Sequence, residues 1–186
     1  MLPKIQIKLF TTEDVPVEGY VPVFHRWIRE RVLNELLIDV VDYSHVPDGP
    51  HVVVIGHEAD YVLDRGNGRL GLLYAHKRGP RPENLLAALR RTLEVAKRLE
   101  GEAVSEPLRF RTDRVLVRVA DRLAAPADDA TYARLIPAFR AELERIYEKP
   151  EVVRVGNARE LVTVEARVPT APGLDELLQR LNGAGA

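Results

Sequence analysis

Lys4-Ile5-Gln6-Ile7-Lys8-Leu9-Phe10 alternates polar and apolar positions, the two-residue period of a half-buried strand. A second such run is Arg114-Val115-Leu116-Val117-Arg118-Val119, with a start as early as Leu108 also open. After the first strand the period changes. Phe24, Trp27, Ile28, Val32 and Leu36 recur at helical spacing, with Arg26, Arg29, Glu30 and Arg31 facing away and Pro22 suited to the first turn. After the second strand, Phe139, Leu143, Ile146 and Tyr147 do the same. There, either Pro137 starts the helix or Asp128-Asp129 caps it earlier and Pro137 kinks it. Each half then predicts a hairpin. One runs Asp60–Asp64, turn Arg65-Gly66-Asn67-Gly68, Leu70–His76; the other runs Glu151–Val155, turn Gly156-Asn157-Ala158-Arg159, Leu161–Val168. Each hairpin passes a proline, Pro82 or Pro172, into a closing helix, long in the first half (Leu85 to Leu99) and short in the second (Leu174 to Leu181).

The order β-α-β-β-α therefore occurs twice. The expected fold class is α+β: two tandem ferredoxin-like β-α-β-β-α units, a two-layer sandwich with an antiparallel sheet. The units span 1–103 and 108–186, joined at Gly101-Glu102-Ala103-Val104-Ser105-Glu106-Pro107, and either merge into one domain or face each other as an internal pseudo-dimer. The halves differ in length. From Pro22 to Gly66 is 44 positions, and from Pro137 to Gly156 is 19, which leaves the first half with about 25 extra residues at roughly 37–60. A rival alignment of Gly56 with Gly156 shrinks the extra segment to about 15 residues and leaves the Gly-Asn-x-Arg match unexplained. In the extra segment Leu37–Tyr43 reads as a strand, His45–Pro50 as a turn, and Val52–Ile55, apolar on both faces, as a central strand. Gly56 marks a bulge or a close backbone approach.

Composition narrows the function classes. The chain has 186 residues, 46% hydrophobic and 30% charged, with a net charge of −1. Without excess positive charge, nucleic-acid binding is not expected as the main role. No apolar run approaches a membrane span, and the N-terminus lacks a signal-peptide core, so a cytoplasmic location is expected. The absence of cysteine excludes disulfides, thiolate nucleophiles and cysteine-bound metals. No cofactor motif is present: Gly66-Asn67-Gly68-Arg69-Leu70-Gly71 lacks the strand-to-helix context of a phosphate loop.

All five histidines lie in the first half. Histidine moves protons near neutral pH, so the expected catalytic group is His57 with Glu58 as partner, converging with His25, Asp39 and Asp42. Trp27, Tyr43, Asp60, Tyr61 and Arg69 are the expected ligand contacts. No metal site is expected, because no two histidines have helical ligand spacing. Arg78-Gly79-Pro80-Arg81-Pro82 is either an anion site at a helix start or a solvated loop. Two functions compete: a small-molecule-binding protein using His/carboxylate acid–base chemistry, and a non-catalytic homo-oligomerising assembly or adaptor protein that uses the extra segment as an interface.

Pro22-Val23-Phe24-His25-Arg26-Trp27-Ile28, Leu37-Ile38-Asp39-Val40, Gly56-His57-Glu58-Ala59-Asp60-Tyr61 and Gly68-Arg69-Leu70-Gly71-Leu72 together resemble a family of bacterial proteins of unknown function. The resemblance covers the first half, implies a bacterial cytoplasmic origin, and brings no activity with it.

Overall fold

The N-terminal alternation forms strand β1 (Ile5–Thr11), which lies in the interior of a sheet. In the computed structural model, which describes residues 4–46, 50–77, 84–157 and 160–184, Ile5, Ile7 and Leu9 are buried on one side of β1. Lys8 and Phe10 point to the other, as the pleat requires. On one flank β1 pairs with β5 (Gly71–His76), followed outward by β4 (Ala59–Asp64), β3 (Pro50–Gly56) and β2 (Leu37–Asp42). On the other it pairs with β6 (Phe110–Val119), followed by β8 (Val162–Arg167) and β7 (Glu151–Val155). The order is β2-β3-β4-β5-β1-β6-β8-β7, and every pairing is antiparallel.

Four helices, α1 (Val21–Glu30), α2 (Leu85–Glu100), α3 (Asp129–Leu143) and α4 (Leu174–Gly183), pack on the Ile7 face. Their buried residues, among them Trp27, Leu89, Phe139 and Leu181, join Ile7, Tyr74, Val117 and Val164 in one continuous core. Phe10, Val62 and Leu116 are buried but lie outside that core, on the face that carries no helix among the described residues. The protein is thus α+β, with one antiparallel sheet and helices against one side of it. No helix among the described residues is long and apolar enough to cross a membrane.

Local chemistry sets the helix ends. Pro22 sits in the first turn of α1, and Arg31 ends the helix in a left-handed conformation with φ 51°. Asp128 caps α3 by accepting the Thr131 N–H at 2.8 Å, so Pro137 lies inside that helix rather than at its start. Asn84 caps α2 through the Ala87 N–H at 2.7 Å. The expected turn at Pro47-Asp48-Gly49, the expected anion site Arg78-Gly79-Pro80-Arg81-Pro82 and Ala158-Arg159 lie outside the described residues. In the hairpin turns the positive φ falls on Gly68 (66°) and Gly156 (84°), not on an asparagine.

The extra segment forms β2 and β3, with β3 inside the sheet and β2 at its edge. Gly56 at the end of β3 is a site of close approach: a Cβ there would lie 2.3 Å from the Ala59 carbonyl oxygen and 2.7 Å from Glu35 Oε2. Backbone cannot yield as a side chain can, so Gly56→Ala is expected to destabilise the protein by about 1–3 kcal/mol, read as a lower urea midpoint at unchanged slope.

Candidate functional site

The chain that leaves α1 doubles back before β2, and Glu35 in this connection anchors the β3–β4 turn. Its Oε2 accepts the N–H groups of Glu58 (3.0 Å) and Ala59 (3.2 Å), and its Oε1 accepts the Tyr61 hydroxyl at 2.5 Å. One carboxylate so satisfies two turn N–H groups and a phenol, and the bare Cα of Gly56 leaves it room. Across from the turn runs α2, whose Arg91 donates to Glu58 Oε2 at 2.8 Å. Beyond the end of α2, Glu102 accepts Trp27 Nε1 at 2.7 Å and also pairs with Arg26, which holds the Arg26 guanidinium above its usual pKa.

These ties border a groove of about 910 Å³ between the α1–β2 connection, the β3–β4 turn and α2. Glu35, Glu58 and Tyr61 line one side and Arg90, Arg91 and Arg98 the other. Arg90 donates through Nη1 to Asn182 Oδ1 of α4 at 2.6 Å, while its Nε is buried without a hydrogen-bond partner among the described residues. Arg98 has no carboxylate partner among the described residues and is exposed at the groove. An exposed guanidinium of this kind is complementary to a ligand oxygen.

The structure brings some expected residues together and separates others. Glu58 and Tyr61 line the groove, and Trp27 reaches its wall through Glu102. The expected convergence of His57, His25, Asp39 and Asp42 with Glu58 does not occur. His57 is exposed in the β3–β4 turn, where adjacent side chains diverge, and His25 lies on the exposed face of α1. Asp39 sits opposite Ile55 and Asp42 opposite Val52, so the two carboxylates leave β2 on opposite faces. Asp42 accepts the Ser44 N–H at 2.8 Å, and its hydrogen bonds to Ser44 hold its carboxyl below the usual range.

Asp39 Oδ1 accepts the Val40 N–H at 2.8 Å. The Tyr43 N–H to His51 carbonyl bond fixes the ladder phase, and by alternation the Val40 N–H points out from the sheet edge. Asp39 therefore covers an edge donor, a device that blunts strand addition. Tyr43 is exposed beside His45. Asp60 takes Lys77 Nζ at 2.6 Å and the Gly56 N–H at 3.3 Å on the face away from the helices. Arg69 belongs to a separate cluster on that face. Among the described residues no three histidine or acidic side chains are grouped to hold a metal.

The expected list lacked Glu35, Arg90, Arg98 and Glu102. The glycine at 56 carried a trace of Glu35, since it signalled a close approach without naming what approaches. Arg90, Arg91, Glu94 and Arg98 share the polar side of a helix read only for its leucines.

The cluster around Arg69 centres on Glu165 of β8, whose side chain is 2% exposed. Glu165 receives Arg167 Nε at 2.7 Å and Arg69 Nη2 at 3.1 Å, with Arg114 Nη1 at 3.7 Å. Burial pushes the Glu165 carboxyl up, but the hydrogen bonds from Arg167 and Arg69 outweigh it and leave the group below its ordinary value of 4.5. Beside it, Lys8 Nζ meets Asp64 Oδ2 at 2.6 Å, and burial draws the Lys8 ammonium below its usual pKa.

No protein-family model matches the chain, and no curated protein is significantly similar to it.

A carboxyl depressed in the fold stabilises it fully above the unfolded value and loses that contribution as pH falls through the folded value. The denaturation midpoint is therefore expected to hold steady above pH 4.5 and to drop below it as Glu165 protonates. Asp113, held down first by its hydrogen bond from Arg111, adds to the loss below its ordinary 3.8. Urea titrations of the parent and of Glu165→Gln across this range measure the difference in slope, which is shallower in the variant.

Proposed function

We propose that this protein binds a small molecule bearing an anionic or strongly hydrogen-bond-accepting group in the groove between the α1–β2 connection, the β3–β4 turn and α2. The observation that carries this reading is the row of Arg90, Arg91 and Arg98 along one wall of a ligand-sized groove, with Arg98 exposed there and without a carboxylate partner among the described residues. Arg90 and Arg98 would receive the acceptor group, and Tyr61 and Glu58, held by Glu35 and Arg91, would form the opposite wall. The exposed positions of His25 and His57 favour binding over histidine acid–base catalysis. The homo-oligomerising alternative has exposed Leu36 and Ile38 at the sheet edge in its favour and the Asp39 cover over Val40 against it.

We also infer that the fold descends from a duplicated, ferredoxin-like β-α-β-β-α unit, at 1–103 and 108–186. Supporting this, the first half pairs β4-β5-β1 and the second β7-β8-β6, placing β1 and β6 side by side at the junction, while α2 packs against α4. The two hairpin turns each hold a glycine at positive φ. The two units should superpose by rotation about an axis between β1 and β6 once β2 and β3 are set aside. An experimental structure in which they do not would remove the inference.

Binding is tested by calorimetric titration with a panel of small carboxylates and phosphate monoesters. A hit is expected to weaken about tenfold in Arg98→Ala and more in Arg90→Ala, and to hold in His57→Ala and His25→Ala. Equal affinity across all four variants would place the ligand elsewhere.

A further inference from the structure

On the face of the sheet that no helix among the described residues covers, a second cavity of about 240 Å³ lies between the end of β1, the approach to β5 and the start of β6. Arg69, Arg111 and Arg114 line it; carboxylates hydrogen-bond the first two guanidinium groups and stand within 4 Å of the third. Arg69 is fixed by Glu165 at 3.1 Å and stacks on the Phe10 ring, 4.0 Å from its centroid. Arg111 makes a two-pronged contact with Asp113 at 2.9 and 2.7 Å. Arg114 lies 3.7 Å from Glu165 and 3.8 Å from Asp113. The arginine side chains remain 37–40% exposed, against 2% for Glu165 and 24% for Asp113. Each pair therefore leaves guanidinium surface accessible while its carboxylate is the more buried partner.

Two carboxylates, Asp14 and Glu13, line the cavity itself. Asp14 is paired with Arg65, whose Nη2 also donates to the Val15 carbonyl at 2.7 Å. Glu13 is exposed and has no ion-pair partner among the described residues.

We propose that this cavity binds a small, multiply charged phosphate-class anion on Arg69, Arg111 and Arg114. Guanidinium forks match phosphate oxygens in pairs, and the forks of Arg69 and Arg111, already fixed by carboxylates and, for Arg69, an aromatic ring, lose little freedom on binding. The cavity volume limits the bound part to one or two phosphoryl groups. Glu13 opposes the anion and sets a ceiling on its affinity. This site is separate from the α2 groove and does not depend on it.

The test is calorimetric titration of the full chain with inorganic pyrophosphate at constant ionic strength, with sodium chloride as the reference. The parent is expected to bind, and Arg69→Ala and Arg111→Ala to weaken binding by about tenfold or more. Arg69→Ala also takes a partner from buried Glu165, so Glu13→Gln, on an exposed side chain, is the second variant. It keeps the fold and is expected to tighten binding by removing the opposing charge. Absence of pyrophosphate binding beyond the chloride reference overturns the proposal, as does an affinity unchanged by Glu13→Gln.

Discussion

The antiparallel pairing of β1 with β6 is the interaction on which the rest of the structure depends. It matches Ile5 with Val119, Ile7 with Val117 and Leu9 with Val115, which lays six branched or aliphatic side chains in a double row on one face. All six are at most 1% exposed. The two strands lie far apart in sequence, so the pairing also welds the first and second halves into one sheet and one core. Slipping it by one residue would turn either Lys8 of β1 or Arg118 of β6 into that core, and the desolvation cost of an unpaired buried charge keeps the register in place. α2 packs over β1 and β5 and meets α4, so the polar face of α2 is set in position by the same pairing.

Outside this seam, polar ties determine where irregular chain lies. Glu35 binds the chain after α1 to the β3–β4 turn, and Glu102 binds the chain after α2 to α1 through Trp27 and Arg26. Both carboxylates border the α2 groove, whose shape therefore rests on hydrogen bonds more than on apolar packing. On the opposite side of the sheet, the buried Glu165 hydrogen-bonds Arg69 and Arg167 and draws Arg114 near, where no helix among the described residues covers them. A carboxylate so placed gains more from its partners than it loses in hydration, as the direction of its pKa shows.

Much of the architecture was legible locally. The two-residue period marked β1 and β6, the helical period marked the buried side of α2 and, through Phe24 and Trp27, that of α1, and Gly68 and Gly156 marked the hairpins; Val32 and Leu36 lie past the end of α1, Leu36 exposed, and Ile146 and Tyr147 lie past the end of α3. Leu37–Tyr43 read correctly as a strand and Val52–Ile55 as an interior one, because an apolar run without polar alternation suits a strand flanked on both sides. Of the expected site residues, Glu58, Tyr61 and Trp27 lie in or against the groove. Asp39 and Asp42 were separated by the pleat, and the histidines by their places on an outward helix face and a turn tip.

By itself, then, the sequence determined the element types, the glycines of the two hairpin turns, the close approach at Gly56, and the lack of any thiol chemistry. These follow from periods, φ preferences and composition, each set within a few residues. Only the tertiary structure decided that Glu35 would meet Gly56 and Tyr61, that Arg90 would keep a buried donor in a groove wall, and that Arg69 would join Arg114 and Arg167 around Glu165. Those contacts join positions up to 96 residues apart in the chain, and no local pattern records them, because strand order and helix docking are settled by burying all the apolar faces at once.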